Sequence, residues 1–336
     1  MMPFGTHCGH INNYKVIANM ILIRISSIFF YIILFISTGI FAAEGAEVEQ
    51  TMQPDQPKVG SWTFSGMVTN ESGDRYGYFF QMQRQGTDFH AKTALIDGQT
   101  NKLILFYEGT EKIDKANQLD WHVGRSFMRY NPINDSWIFG VKAEDEKGFN
   151  FKVDMLKQSS VNNDHETLVL RPGVELQALQ TSQLNGHVQT GTGNKEQFVT
   201  GNNAWFGKLW FSKDQKSSHD ISTTFCRLSN DNGFYSANLK EADATGAAVA
   251  GWRDAMGNKV KMSQFLSIKS LAKDQTLLSL GLPKLSLKVL NTLKHEENAP
   301  LSVAGFSKEN PRGFCFVTEQ SFAQIKEKIG SEVAAG

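Results

Sequence analysis

Hydrophobic and polar residues alternate along most of the chain from Gly60 onward, in short runs separated by turn-forming residues. The first runs are SWTFSGMV, YGYFFQMQR and FHAKTALI, and clusters such as NESGD separate them. Alternation with a period of two indicates strands with one buried face, and clusters of Asn, Asp and Gly indicate tight turns. Because a helical period is almost absent, the pattern predicts an all-β protein built as a meander barrel or a sandwich.

The alternation pauses at a polar stretch, 159–166, and then begins again. The chain has 336 residues, which exceeds the usual size of a single hydrophobic core. We therefore predict two β domains, at 60–170 and 171–320. A short helix is predicted within the C-terminal segment 321–336, where a capping box precedes an apolar helical face and a glycine stop.

An uncharged apolar segment at 25–43 follows the only two basic residues of the N-terminus. A positive region, an apolar stretch and a small-residue exit are typical of a secretory signal, and a stretch of this length can also stay uncut as a membrane anchor. We predict that residues 1–43 are one of these two, starting at Met1 or Met20, and that 44–59 is a linker. Either version exports the chain, so the protein is expected in the periplasm or secreted, with attachment to the inner membrane as the alternative.

The balance of charge excludes one class of partner. The chain has 34 basic and 34 acidic residues, and no basic stripe stands out along it. Nucleic-acid binding depends on clustered Lys and Arg side chains that neutralise phosphates, so we expect no nucleic-acid partner. The 24 phenylalanines and 29 glycines instead suit many strands joined by glycine turns.

Two cysteines, Cys226 and Cys315, lie in the part of the chain that would be exported. In an oxidising compartment they can pair as a disulfide. Both also lie in apolar, strand-like runs, where buried free thiols are common. The sequence leaves both readings open.

Titratable residues on the predicted strands are few, and His90, His122, Arg129 and His219 are the candidates for acid–base chemistry. Alternation places Trp121 and His122 on opposite faces, so only one of them faces inward. No HExxH, CxxC or GxSxG motif occurs. We therefore predict no metal and no cofactor, and the sequence assigns no catalytic residue.

The aromatic residues suggest a different role. Six tryptophans and many phenylalanines exceed what small barrels need to fill their interiors, although ordinary core packing also uses such residues. A barrel of about eight strands can hold one small apolar molecule. The candidate ligand-binding residues are Trp62, His90, Trp121, Trp205 and Trp210.

Several motifs together resemble one bacterial family. They are WTFSG at 62–66, YGY at 76–78, VTG at 199–201 and GFCFVT at 313–318. In this order they are similar to the lipocalin-like group that contains the hydroxyneurosporene synthase type of carotenoid hydratase and the AttH-type "predicted secreted hydrolases". The resemblance implies two lipocalin-like β-barrel domains in tandem.

The sequence departs from this family after the tryptophan that opens the second half. There the family continues with an Asp-His-Glu-Trp run, whereas this chain reads Phe206-Gly207-Lys208-Leu209-Trp210. The missing carboxylates and histidine favour an exported protein that binds a lipid, isoprenoid or acyl chain without converting it. The alternative is a hydratase or hydrolase acting on such a molecule, with another carboxylate such as Asp97 or Glu108 in place of the absent acid.

Overall fold

The protein is described here from a computed structural model, and the described residues belong to one compact unit, Asp55–Gly336. They are 57–321 except for 101, 115–118, 144, 156–166, 182, 203, 212–219, 229–231, 241–247, 254–258, 264–265, 273–274, 281–284, 294–300 and 307–312. Every regular element among them is a strand, which confirms the all-β prediction.

Thirteen strands form the first sheet, in keeping with the short alternating runs of the sequence. They are β1 (Val59–Asn70), β2 (Arg75–Gln85), β3 (Asp88–Asp97), β4 (Leu103–Lys112), β5 (Asp120–Val123), β6 (Ser126–Asn131), β7 (Ser136–Lys142), β8 (Lys147–Asp154), β9 (Thr167–Arg171), β10 (Val174–Gln180), β11 (Gln183–Thr190), β12 (Gln197–Asn202) and β13 (Trp205–Phe211).

Nine strands form the second sheet. They are β14 (Asp220–Leu228), β15 (Gly233–Lys240), β16 (Ala248–Arg253), β17 (Lys259–Ser263), β18 (Leu266–Ala272), β19 (Gln275–Leu280), β20 (Leu285–Leu293), β21 (Leu301–Phe306) and β22 (Gly313–Ser321).

The first sheet is a nearly closed antiparallel barrel with the order β4-β3-β2-β1-β12-β11-β8-β7-β6-β5. Its two end strands, β4 and β5, come close to each other. The backbone N–H of Arg125, in the turn after β5, donates a hydrogen bond to the hydroxyl of Tyr107 of β4 at 2.9 Å. Strand β1 pairs with β12 through its last residues and with β13 through Gly60–Ser65. Strand β13 in turn pairs with β10, which pairs with β9.

The second sheet repeats this arrangement. Its order is β17-β16-β15-β14-β22-β21-β20-β19-β18, so its first strand pairs with its last. In both sheets the opening lies between the fourth and the fifth strand along the chain. The two sheets therefore share an architecture without any exact sequence repeat.

Aromatic side chains fill the middle of the first barrel. The rings of Phe64 and Phe139 stack with centroids 4.1 Å apart, and Phe80 lies 5.1 Å from Phe139. Phe149 and Phe151 of β8, the strand next to that of Phe139, pack on each other with ring centroids 4.7 Å apart. All five side chains are buried, so this part of the interior is occupied by the protein itself.

The outer face of the first sheet packs against the second sheet, and we call this contact the seam. Phe79 of β2 and Phe316 of β22 lie 5.6 Å apart across it. A Cβ at Gly207 would lie 2.6 Å from Cζ of Phe225, so the glycine lets the ring of Phe225 on β14 pack directly on the backbone of β13. At these positions the contact between the sheets is therefore apolar.

Cys226 of β14 and Cys315 of β22 face each other in the ladder and form a disulfide. Both side chains are buried. Of the two readings left open by the sequence, the structure has the disulfide, which ties the first strand of the second sheet to its last.

Two further predictions concern the ends of the chain, and a third concerns the limits of the domains. The segment at 1–43 and the helix within 321–336 lie outside the described residues, apart from Ser321, the last residue of β22. Where residues are described, no helix is long and apolar enough to cross a membrane. The domain limits at 60–170 and 171–320 stay a prediction; the change from one sheet to the other falls between Phe211 and Asp220.

Candidate functional site

Five side chains converge at the end of the first barrel where β1 begins. Direct cross-strand partners share a face of a sheet, and Trp62 of β1 lies opposite Lys208 of β13. One row further along, Gly60 lies between Trp210 of β13 and Arg84 of β2. Trp121 reaches the same place from β5. We call Trp62, Arg84, Trp121, Lys208 and Trp210 the tryptophan end of the barrel.

The rings at the tryptophan end form a continuous aromatic wall. Trp62 and Trp121 meet edge to face with centroids 4.7 Å apart, and Phe89 lies 5.1 Å from Trp121. These three side chains have no exposed surface. Such pairs add about 0.5–1.5 kcal/mol each to what burial of the rings contributes.

Two cations lie against this wall. The ammonium of Lys208 is 6.0 Å from the ring of Trp62 and 5.4 Å from that of Trp210, while the guanidinium of Arg84 is 5.7 Å from Phe89. Burial lowers the pKa of Lys208 and also that of Arg84. Within the described part of the chain, no carboxylate forms an ion pair with either side chain.

Hydrogen-bond donors at the same end are buried without an acceptor among the described residues. The indole nitrogens of Trp62 and Trp121 have none, and neither has one terminal nitrogen of Arg84. The Nε of Arg84 donates to the carbonyl oxygen of Gly86 at 2.9 Å. Buried donors are nearly always paired in folded proteins, so three together mark this end of the barrel as unusual.

A second polar group of side chains lies on the opposite face of the first sheet. His90 of β3 is directly opposite Gln83 of β2, and its Nδ1 is 2.9 Å from the amide oxygen of Gln83. Its Nε2 is 2.6 Å from a carboxylate oxygen of Glu108 on β4. His90 shares its face with Phe79, the residue that touches the second sheet, so the His90–Glu108 pair lies on the seam side of the first sheet. His90 is 3% exposed.

The orientation of the Gln83 amide decides the charge of His90. An ionised carboxylate only accepts hydrogen bonds, so Nε2 donates to Glu108. With the amide oxygen of Gln83 facing Nδ1, that nitrogen donates as well and the ring is positive. With the amide group turned, Nδ1 accepts and the ring is neutral.

The structure brings together three of the five candidate ligand-binding residues, Trp62, Trp121 and Trp210. His90 belongs to the seam. Trp205 also faces the seam, where its indole N–H donates to the carbonyl oxygen of Cys226 at 2.8 Å. Trp205 therefore has a structural contact in place of an unpaired donor.

The other titratable candidates lie away from both polar groups. His122 is 71% exposed at its side chain and lies 3.4 Å from Asp120, which fits the inward position of Trp121 on the same strand. Arg129 is exposed. Asp97 accepts hydrogen bonds from the backbone of the turn that follows it. His219 lies outside the described residues.

Position 207, in the segment where the sequence departs from the family it resembles, is tightly packed. The backbone at Gly207 approaches the ring of Phe225 so closely that any side chain would collide with it. The neighbouring residues Phe206, Lys208 and Trp210 point to the other face, toward the barrel. On the seam side, Gly207 and Phe225 are therefore in direct contact. Lys208, the polar residue between Phe206 and Trp210, lies on the barrel side.

Sequence reasoning missed Lys208 and Arg84. Each lies in a strand whose neighbours at two-residue spacing are apolar and buried, such as Phe206 beside Lys208 and Met82 beside Arg84. A cation in the inward phase of an alternating strand is the signal that could have found them.

The fold and these contacts define a lipocalin-like all-β protein, and comparison with solved structures agrees. The chain is similar to AttH of Nitrosomonas europaea, with 15% identity and a TM-score of 0.57 over 78% of this chain and 92% of that one. It is also similar to kievitone hydratase of Nectria haematococca, with 12% identity and a TM-score of 0.60 over 80% and 92%. No family model and no curated protein matches the sequence.

Both neighbours are lipocalin-like proteins of the carotenoid-hydratase and AttH type. The resemblance stated from the sequence motifs is thereby confirmed for the fold. At these identities the likeness concerns the fold alone, and function is argued from the residues of this chain.

Proposed function

We propose that this protein is an exported lipocalin-like binder of a hydrophobic small molecule, a lipid, isoprenoid or acyl chain, which it holds at the tryptophan end without converting it. The observation that carries the proposal is the aromatic wall of Trp62, Trp121 and Phe89, which contains two unpaired indole donors and has Trp210 beside it across Lys208. An apolar wall with a few polar groups is the usual composition of a small-molecule site.

The packing of the barrel favours its end over its centre as the place of binding. Phe64, Phe139 and their neighbours fill the middle of the interior, and a ligand there would have to displace buried rings. At the tryptophan end Trp62 and Trp121 are also fully buried, but their indole nitrogens have no acceptor among the described residues. Lys208 and Trp210 beside them are only partly buried, so a molecule from solvent can reach this end through them.

Tryptophan fluorescence tests the proposal. We expect diphenylhexatriene, a neutral apolar fluorophore, to bind the purified protein and to receive energy from the excited tryptophans. Trp210→Ala should weaken this binding about tenfold, because a lost aromatic contact costs about 1.4 kcal/mol or more. His122→Ala is the matched control on an exposed neighbour of the wall and should bind as the native protein does. Absence of binding to the native protein would refute the proposal.

A second candidate function is an enzyme on the same class of molecule, and the His90–Glu108 pair favours it. A histidine held by a carboxylate in a buried place is a suitable proton donor or acceptor. One of the structural neighbours is a hydratase by name. Addition of water to an isoprenoid double bond would need such a group.

Turnover distinguishes the two candidates. Under the binding proposal, the purified protein leaves isoprenoid and ester substrates unchanged. If the native protein converts one of them, and if both His90→Ala and Glu108→Gln abolish the conversion while the fold is retained, the enzyme is the correct function. His122→Ala is again the control, because its side chain is exposed.

A further inference from the structure

The tryptophan end holds two positive charges that the described residues do not neutralise. Glu175 of β10 is the acidic residue opposite Trp210, and it makes no ion pair with Lys208. Glu111 of β4 is opposite Phe89, and its carboxylate accepts the backbone N–H of Gly124. Both cations rest instead on aromatic faces, which replace only part of the hydration that burial removes.

Gly60 lies on β1, between the two strands that carry Trp210 and Arg84. Its neighbours in the row are Trp210 on one side and Arg84 on the other, and Lys208 lies in the next row beside Trp62. Adjacent strands are about 4.8 Å apart, so the two flanking strands are separated by roughly 10 Å across the glycine. A Cβ at Gly60 would lie 2.7 Å from the carbonyl oxygen of Leu209 and 3.4 Å from Cγ of Pro57, so the chain itself covers this position and a ligand would contact the cations beside it.

We infer that the tryptophan end binds the carboxylate of an amphipathic acid, with the carboxylate between Lys208 and Arg84 and the apolar tail along Trp62 and Trp210. A guanidinium with a free terminal nitrogen and an ammonium are the groups that bind carboxylates most strongly. The buried indole N–H groups supply further donors. This inference rests on the proposed function and specifies the head group of its ligand.

The test compares three molecules with the same twelve-carbon tail, dodecanoate, dodecanol and dodecyltrimethylammonium, below their micelle concentrations. Binding to the full chain is followed by tryptophan fluorescence at pH 7. We expect dodecanoate to bind about tenfold or more tightly than dodecanol, and the cationic molecule to bind more weakly than both.

Variants at Lys208 and Arg84, with a control at Lys152, assign the preference to the cations. Lys208→Met keeps the length of the side chain and should bring dodecanoate to within about threefold of dodecanol. Lys208→Arg should retain most of the preference. Lys152→Met removes an exposed lysine of β8 that pairs with Asp154, and it should leave the preference unchanged. Arg84 is more deeply buried, so Arg84→Met is interpreted only with a melting curve that shows the fold is intact.

The outcomes separate this inference from the function on which it rests. If dodecanol binds as tightly as dodecanoate, the acidic head group is wrong and the apolar binder remains. If the preference survives Lys208→Met, the carboxylate lies elsewhere and the inference is also overturned. If none of the three molecules nor diphenylhexatriene binds, the proposed function itself fails.

Discussion

Trp62 of β1 and Trp121 of β5 meet edge to face, although their strands are not paired in the sheet. Strand β5 lies at one end of the open sheet, and β1 is the fourth strand counted from the other end. The contact between the two rings therefore spans the interior and holds the short strand β5 against the opposite wall. It closes the barrel where no ladder of backbone hydrogen bonds does so.

The contact makes Trp121 a main support of β5. Replacing Trp121 by Ala should lower the free energy of unfolding by about 3–5 kcal/mol, because a fully buried aromatic is lost and a cavity remains. His122→Ala, one residue away and exposed, should change it by less than about 0.5 kcal/mol. Urea unfolding followed by circular dichroism measures both; equal effects would contradict the inward orientation of Trp121.

Tyr78 is buried with a hydroxyl that has no partner among the described residues. Tyr78→Phe should raise the free energy of unfolding by about 1 kcal/mol, since it removes a polar group that lost its water on burial. Tyr130→Phe is the matched control, because the Tyr130 hydroxyl donates to Asp135 at 2.9 Å and its loss should destabilise. Chemical denaturation at pH 7 should show opposite signs for the two variants.

Tyr130 also predicts a dependence on alkaline pH. Burial, followed by the hydrogen bond to Asp135, raises the pKa of Tyr130 from 10.0 to about 12. A raised pKa in the folded state gives stability that is complete below pH 10 and is lost as the pH rises toward 12. Tyr130→Phe should lose less stability over this interval than the native protein does. Parallel melting curves between pH 9 and about 12 would contradict this role of Tyr130.

The disulfide between Cys226 and Cys315 closes a loop of 89 residues. Chain entropy in the unfolded state predicts that the bridge contributes on the order of 4 kcal/mol. Reduction, or the double variant Cys226→Ala with Cys315→Ala, should lower the midpoint of urea unfolding accordingly. If the thiols react with a maleimide probe in the untreated, unfolded protein, the bridge is absent.

Export is predicted from the uncharged segment at 25–43. Alkaline phosphatase fused after Gln50 should be active, because this reporter folds only where disulfides form. The same fusion with two arginines inserted in the middle of the segment should be inactive, since charges abolish insertion. Activity in the cytoplasm, or no effect of the arginines, would contradict export.

The repeated strand order of the two sheets was partly predictable. Alternation and turn residues locate strands such as Arg75–Gln85, and the pause at 159–166 indicates that the pattern restarts. Alternation cannot determine pairing between distant strands, because a period of two is common to every half-buried strand. The pairing of β1 with both β12 and β13 depends on contacts across more than one hundred residues.

The candidate site was predictable in its aromatics and not in its charges. The sequence indicated Trp62, Trp121 and Trp210 as ligand-binding residues, but it grouped with them Trp205, which donates across the seam to Cys226. The alternating sequence pattern around a tryptophan is the same whether its side chain faces the interior or the outside of the barrel. Which face is the interior follows only from the way the sheet closes.

The sequence by itself determined the all-β class and the opposite orientations of Trp121 and His122, because both depend on alternation within single strands. It also determined the lipocalin-like resemblance, which depends on the order of short motifs along the chain. Only the tertiary structure placed Lys208 and Arg84 at one barrel end and His90 beside Glu108 at the seam. Those groupings depend on register and closure, which join strands far apart in the chain. Local pattern shows at most that Lys208 and Arg84 lie among apolar residues of their strands, whereas the closing of the sheet decides which other side chains they meet.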